Sequence, residues 1–127
     1  MDRVLWIVGI YLVGLGILMW TQPQLWYSNT PGVAPMRPFN MHFVRDFALV
    51  FGTSGLAVLY AARSRNHDVL IVGLSWLALH ALYHLVTWAN RGFAFDLVAF
   101  VNLLGIQLPV WTCLAIAFSM QPKEQTS

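Results

Sequence analysis

The sequence predicts an all-α membrane protein, a four-transmembrane-helix antiparallel bundle, and three observations support this fold class. Hydrophobic residues make up 58% of the 127 residues and charged residues only 9%, whereas a soluble domain carries about 25% charged residues. Four apolar runs are long enough to cross a bilayer core of ~30 Å, which needs about 20 helical residues. The connections are too short for a separate catalytic domain, so residues 1–127 are expected to form one membrane domain.

The predicted spans cover about residues 4–20, 41–62, 69–88 and 96–120. The first span carries no charged residue, and the segment TQPQLW after it offers no small-residue cleavage site. We therefore interpret the first span as an uncleaved helix rather than a signal peptide. The second span is unusual because Arg45 and Asp46 lie within its first turns.

The connection between the first two spans, residues 21–40, contains four prolines. It is too rich in proline for a helix and too long for a simple turn. We expect it to fold over the outer mouth of the bundle, above His42 and His84. The other two connections are short and polar, and Asp68 in the second is placed to cap the third span.

The distribution of basic residues predicts the orientation. With four spans, both termini and the second connection lie on one side, which holds four of the seven Lys and Arg residues. The positive-inside rule then places both termini on the cytoplasmic side of the membrane, which we take to be a bacterial inner membrane. The net charge of +2 is too small to suggest nucleic acid as a partner. The apolar composition instead indicates the lipid bilayer as the expected surroundings.

Polar residues within the spans cluster in the outer half. His42, Arg45 and Asp46 enter the second span, whereas His84 lies about one turn and His80 about two turns below the outer end of the third. Residues four apart share one face of a helix, so His42 lies with Asp46 and His80 lies with His84. We expect these two faces to meet, with Gly73 allowing the helices to pack closely there, and Ala48 and Gly52 allowing close packing on the second span.

The fourth span adds two polar residues to the outer half. Asp96 is expected either to cap this span or to support the histidines from the second coordination shell. Asn102 is the other second-shell candidate, although it lies about 120° around the helix from Asp96 and could face a different neighbour. The single cysteine, Cys113, is interpreted as a small buried apolar residue.

The sequence leaves three roles open for this cluster. His42, Asp46, His80 and His84 could bind a transition metal ion, with zinc, iron or copper suited to such ligands and haem less suited to so small a bundle. Alternatively, Asp46, His80 and Tyr83 are candidate catalytic residues for acid–base chemistry on a small lipophilic molecule. The third possibility is a structural network that fixes helix register.

Arg45 has two interpretations. Its side chain could extend to the outer lipid headgroups, or it could hold an anionic substrate or a headgroup.

A non-catalytic protein is the alternative from a different class. Six tryptophans and the glycines of the first span, Gly9, Gly14 and Gly16, suit helix association. The chain could therefore be an accessory subunit of a larger membrane complex or form a homo-oligomer. The sequence does not decide between an enzyme and a protein without catalytic activity.

The segment PFNMHFVRDFALVFGTSGLAVLYAA, residues 38–62, resembles small bacterial DoxX-like four-helix inner-membrane proteins. The resemblance rests on Asn40, His42, Arg45 and Asp46 at the start of the second span and on the His80–His84 pair. It implies a four-helix fold and suggests no particular chemistry. The cysteines of redox-active four-helix relatives are absent here, which argues against a quinone–thiol redox role.

Overall fold

The computed structural model describes residues 2–120, and its regular elements there are all helical. Four helical stretches are long and apolar enough to cross a membrane, namely Arg3–Thr21, Met41–Ser64, His67–Asn90 and Leu97–Ser119. The predicted fold class, an all-α bundle of four spans, is confirmed. The protein is therefore a multi-pass membrane protein whose apolar outer faces suit a lipid bilayer.

The elements follow one another in a simple order. They are α1 (Asp2–Thr21), α2 (Pro23–Asn29), α3 (Met41–Ser64), α4 (His67–Asn90), α5 (Leu97–Asn102), a π-helical segment (Leu103–Gln107) and α6 (Leu108–Ser119). The last three elements run on without a break and make the fourth span. Helix α1 packs mainly against α3, α3 also packs against α4, and α4 against α6.

A side-chain oxygen caps the start of each of the last three spans by accepting a hydrogen bond from the backbone N–H three residues further on. Such caps satisfy one of the free N–H groups at a helix start. The capping residues are Asn40, Asn66 and Asp96. The prediction that Asp68 caps the third span is wrong, because Asn66 precedes it in the extended conformation that a cap requires.

Glycines bring the backbones of α1 and α3 into contact. A Cβ atom added to Gly16 would lie 2.8 Å from the carbonyl oxygen of Ala48 and 2.9 Å from the nitrogen of Gly52. One added to Gly55 would lie 2.8 Å from the nitrogen of Val13. The backbones of Ala48 and Gly52 thus lie in close contact with α1, but it is the missing side chain of Gly16 that permits this contact, since a Cβ added to Gly52 would meet nothing within 4 Å. Such small-residue contacts replace the hydrophobic effect as the source of helix association in lipid.

A second close contact joins α3 to α4. A Cβ atom added to Gly73 would lie 2.5 Å from the Cβ of Ala57. The predicted role of Gly73 in close packing is confirmed. Helix α3 is thus held at short range on two sides, by α1 and by α4.

Buried amides join α4 to the fourth span. Gln107 Nε2 donates to the carbonyl oxygen of Ala81 at 2.9 Å and to Asn102 Oδ1 at 3.0 Å, while Trp111 Nε1 donates to Gln107 Oε1 at 2.7 Å. The π-helical turn brings residues five apart onto one face, so Asn102 meets Gln107. Asn102 thus has a partner other than Asp96, as its angular position on the helix suggested.

The same segment contacts α1 through the backbone carbonyl oxygen of Gly105. Pro109 has no N–H to donate to the carbonyl oxygen of Gly105, four residues earlier. Tyr11 Oη of α1 donates a hydrogen bond to that oxygen at 3.0 Å. This bond links the first and last spans, which closes the bundle.

The expectation that residues 21–40 contain no helix is wrong. Helix α2 occupies Pro23–Asn29, with Pro23 in its first turn, where a missing N–H costs nothing. The rest of the connection folds back, since Tyr27 Oη donates to the carbonyl oxygen of Arg37 at 2.5 Å and its ring packs edge-on against Phe39. Gly32 lies against Val98 at the start of the fourth span. The connection therefore covers this end of the bundle.

The contact between α1 and α3 gives a direct test. We expect Gly16→Ala to lower the free energy of unfolding by about 1–3 kcal/mol, because the new methyl group meets backbone atoms that cannot rotate away. Gly14→Ala is the matched control in the same helix, where an added Cβ has nothing within 4 Å. Alanine there should be neutral or stabilising by up to about 1 kcal/mol. Thermal unfolding in detergent micelles measures both, and equal effects would contradict this packing.

Candidate functional site

Two aromatic stripes face each other where α3 meets α4. On α3 the stripe is Phe43, Phe47 and Phe51, and on α4 it is Trp76, His80 and His84. Each set repeats every four residues, so each lies along one face of its helix. These six residues are called the aromatic groove below.

His80 lies at the centre of the aromatic groove. Its ring stacks on Trp76 with 4.7 Å between ring centroids and 14° between ring planes. Phe47 and Phe51 approach the same imidazole from α3, each with a centroid distance of 6.0 Å. Three aromatic rings from two helices therefore fix the plane of this histidine.

His84 continues the stripe one turn nearer to the end of α4. Its ring is edge-on to His80 with 4.5 Å between centroids. Tyr83 lies edge-on to His84 at 6.1 Å, but its side chain points outward and is 62% exposed. The structure thus brings two of the predicted site residues, His80 and His84, into direct contact and leaves Tyr83 at their border.

The imidazole nitrogens of the pair are not used by the fold. Among residues 2–120, the side chains of His80 and His84 make ring contacts but no hydrogen bond or ion pair. Within the same range, no fully buried side-chain nitrogen or oxygen lacks a hydrogen-bond partner. It follows that the unpaired imidazole nitrogens are accessible from outside the bundle, although both histidines are partly buried.

The predicted meeting of the His42–Asp46 face with the His80–His84 face is wrong. His42 Nε2 lies 3.3 Å from Asp46 Oδ2, and the two side chains are 88% and 57% exposed. The face of α3 that meets the histidines carries Phe47, the neighbour of Asp46 and therefore 100° around the helix. The histidine that Asp46 contacts is therefore His42, within α3.

This geometry separates the four predicted metal ligands into two pairs. In the described part of the chain, no three His, Cys, Asp or Glu side chains come together in a way that could hold a metal ion. The pairs are His42–Asp46 on an exposed face and His80–His84 in the aromatic groove. A protein ligand set of four, as the sequence suggested, is therefore not assembled within residues 2–120.

Arg45 lies against the end of α1. Its Nε donates to the carbonyl oxygen of Trp20 at 3.3 Å, and its guanidinium carbon lies 5.3 Å from the centroid of the Trp20 indole. A cation is favoured beside the carbonyl end of a helix and over an aromatic face. Arg45 therefore stabilises the α1–α3 contact, whether or not its guanidinium also contacts a lipid headgroup.

The two predicted second-shell residues have other partners. Asp96 caps α5 and pairs with Arg91, and neither Asp96 nor Asn102 hydrogen-bonds to a groove histidine within residues 2–120. The backbone N–H of Ala99, aided by the Arg91 guanidinium, lowers the pKa of the Asp96 carboxyl. The carboxylate form is thus favoured at the start of α5, as expected of a capping residue.

The aromatic partners of the histidines were missed by sequence reasoning, although a signal was present. The series Phe43, Phe47, Phe51 and the series that includes Trp76 both recur at four-residue spacing. The charged residues indicated the His42–Asp46 face of α3 as the one that meets α4. The more apolar face next to it is the one that packs against α4.

Compared with known proteins, the chain matches no protein-family model, no curated protein and no solved structure. The resemblance to DoxX-like proteins therefore stays a prediction. The geometry of the aromatic groove is the remaining indication of function.

Proposed function

We propose that the protein binds a small lipophilic molecule in the aromatic groove and that His80 and His84 exchange a proton with the polar group of that molecule. The observation that carries this proposal is a pair of adjacent imidazoles, walled by aromatic rings, whose nitrogens have no hydrogen-bond partner within residues 2–120.

Polar side chains within membrane spans are costly when they lack a partner. A polar group in apolar surroundings is unfavourable unless it is hydrogen-bonded, and ionisable residues in membrane spans are for that reason rare and commonly functional. The amides of the fourth span follow this rule, since Gln107 and Asn102 bond to each other. The imidazoles of His80 and His84 do not, which supports a partner supplied from outside the bundle.

The surroundings indicate the kind of partner. Phe47 and Trp76, which are only partly buried, offer apolar rings that would pack against a lipophilic body, while Phe51 supports them from the core. A neutral imidazole has one nitrogen that donates and one that accepts a hydrogen bond. A molecule with a hydroxyl or carbonyl group on an apolar frame would satisfy both features, and its hydroxyl proton could pass to an imidazole nitrogen.

This proposal gives the candidate catalytic residues unequal roles. His80 and His84 are the proton-exchanging groups of this proposal, and Tyr83 lies beside His84 where it could contact the same molecule. Asp46 is engaged by His42 on the other face of α3. It is therefore assigned no role in the proton transfer.

A metal ion is the second candidate for the same pair. Two imidazoles one helical turn apart, with ring centroids 4.5 Å apart, could supply two nitrogen ligands to zinc, iron or copper. The other ligands would come from water, from the bound molecule or from another chain. The contact between the two rings is the observation that favours this candidate.

We further propose that the cytoplasm holds both termini and that the aromatic groove lies in the outer half of a bacterial inner membrane. The asymmetry of Lys and Arg residues supports this orientation. Green fluorescent protein fused to the C-terminus is expected to fluoresce, and alkaline phosphatase fused there is expected to be inactive. Active phosphatase at that position would reverse the orientation.

The histidine pair can be tested on the protein purified in mild detergent without a histidine tag. Solvent extraction followed by mass spectrometry should find a lipophilic compound bound to the wild type. We expect His80→Phe and His84→Phe to weaken its binding about tenfold each, the loss of one hydrogen bond to a polar group. His42→Phe, a histidine outside the aromatic groove, is the matched control and should retain the compound.

Metal content measured on the same samples separates the candidates. A stoichiometric transition metal that is lost in the His80 and His84 variants would favour the metal site. Wild-type protein without compound or metal, copurifying in fixed proportion with a larger membrane protein, would overturn the proposal in favour of an accessory subunit.

A further inference from the structure

A cleft opens beside the aromatic groove, at the start of α3. It has a volume of about 310 Å³ and is lined by Arg37, Pro38, Phe39, Asn40 and Phe43. The folded connection after α2 forms one wall, where Tyr27 holds the carbonyl oxygen of Arg37 and the ring of Phe39. The cleft is therefore part of the ordered fold.

The cleft carries a positive charge that no side chain from residue 3 to residue 120 neutralises. Within residues 2–120, the Arg37 guanidinium has no ion pair or side-chain hydrogen bond. The carboxylates nearest in sequence on the outer side are engaged elsewhere, Asp46 by His42 and Asp96 by Arg91. Asn40 uses its oxygen to cap α3, which leaves its NH₂ group as a donor.

An unbroken series of rings leads from the cleft to the histidines. Phe43 lines the cleft and lies 4.5 Å from Phe47, and Phe47 lies 5.4 Å from Trp76 and 6.0 Å from His80. From Phe43 to Phe51 the stripe extends roughly 12 Å along α3. A chain-like molecule anchored at Arg37 would therefore pass directly over the aromatic groove.

We infer that the ligand of the aromatic groove is an amphiphile from the lipid phase with a phosphate-type anionic headgroup, held by Arg37 and Asn40, and an apolar chain that lies along Phe43 and Phe47 and carries further along it the hydroxyl or carbonyl group that meets His80. This inference rests on the proposed function, because it names the class of molecule that reaches His80. Arginine suits the role since its planar guanidinium can donate two parallel hydrogen bonds to a phosphate or carboxylate.

Charge selects this headgroup over the alternatives. A cationic head would be repelled by Arg37, and a neutral head would leave the guanidinium without a counter-charge at the edge of the membrane. Arg45, the other cation at this end of α3, is directed to Trp20. Anion recognition is therefore assigned to Arg37.

Photolabelling tests the inference on the full chain in phosphatidylcholine nanodiscs. The probes are dodecyl phosphate and dodecanol, each with a diazirine midway along the chain, and labelled peptides are mapped by mass spectrometry. We expect dodecyl phosphate to label α3 and α4 around Phe47 and His80. Arg37→Gln should reduce this labelling about tenfold, as one charge-assisted hydrogen bond is lost, whereas Arg37→Lys should retain part of it.

Arg63→Gln, on the same helix at the opposite end, is the matched control and should leave labelling unchanged. Dodecanol should label weakly and without dependence on Arg37, and inorganic phosphate should compete poorly with dodecyl phosphate. Equal labelling by the two probes, equal labelling in Arg37→Gln, or full competition by inorganic phosphate would each overturn the amphiphile.

His80→Phe separates this inference from the proposed function. The variant keeps an aromatic ring in the stripe and keeps Arg37, so dodecyl phosphate should still label α3 and α4. If labelling depends on Arg37 while the His80 variant retains its copurified compound, the headgroup site stands and the histidine chemistry fails. If Arg37→Gln has no effect while the histidine variants lose their compound, the proposed function stands and the anionic headgroup is overturned.

Discussion

The contact of Gly73 with Ala57 is the constraint on which the site depends. Because an added Cβ at Gly73 would lie 2.5 Å from the Ala57 Cβ, no larger residue fits there unless α3 and α4 move apart. His80 lies seven residues beyond Gly73, two turns along the same face of α4. The close contact thus sets the spacing at which Phe47 and Phe51 reach the imidazole. Helix α1 holds α3 from behind through Gly16, which makes this arrangement rigid.

The polar residues of the spans divide into two groups with different consequences. Asn102 and Trp111 each bond to Gln107, and Gln107 bonds to a backbone carbonyl of α4, so these polar side chains join the fourth span to the bundle. His80 and His84 contribute packing through their rings and leave their nitrogens unused. In a low-dielectric environment the first group serves structure. An external molecule would gain the most binding energy from a hydrogen bond to the second group, His80 and His84.

The sequence predicted the fold class from composition and from the lengths of its apolar runs, because a bilayer leaves few alternatives to a spanning helix. It also indicated that His80 and His84 share a face and that Gly73 allows close packing. It did not predict which face of α3 meets them, since two adjacent faces, one with Asp46 and one with Phe47, differ by a rotation of 100°. That rotation depends on packing against α1. The sequence also did not predict the π-helical turn at Leu103–Gln107. This turn changes the angular position of every residue after it.

Cysteine cross-linking measures that rotation directly and so tests the central claim, that the aromatic stripe of α3 faces the histidines. In a Cys113→Ala background, which removes the native thiol, a short bifunctional thiol reagent is applied in membranes to two double variants. The account predicts rapid cross-linking of Phe47→Cys with His80→Cys and slow cross-linking of Asp46→Cys with His80→Cys. Faster reaction of the second pair would contradict it, because Asp46 would then face the histidines and the site would be the charged cluster instead of the aromatic groove.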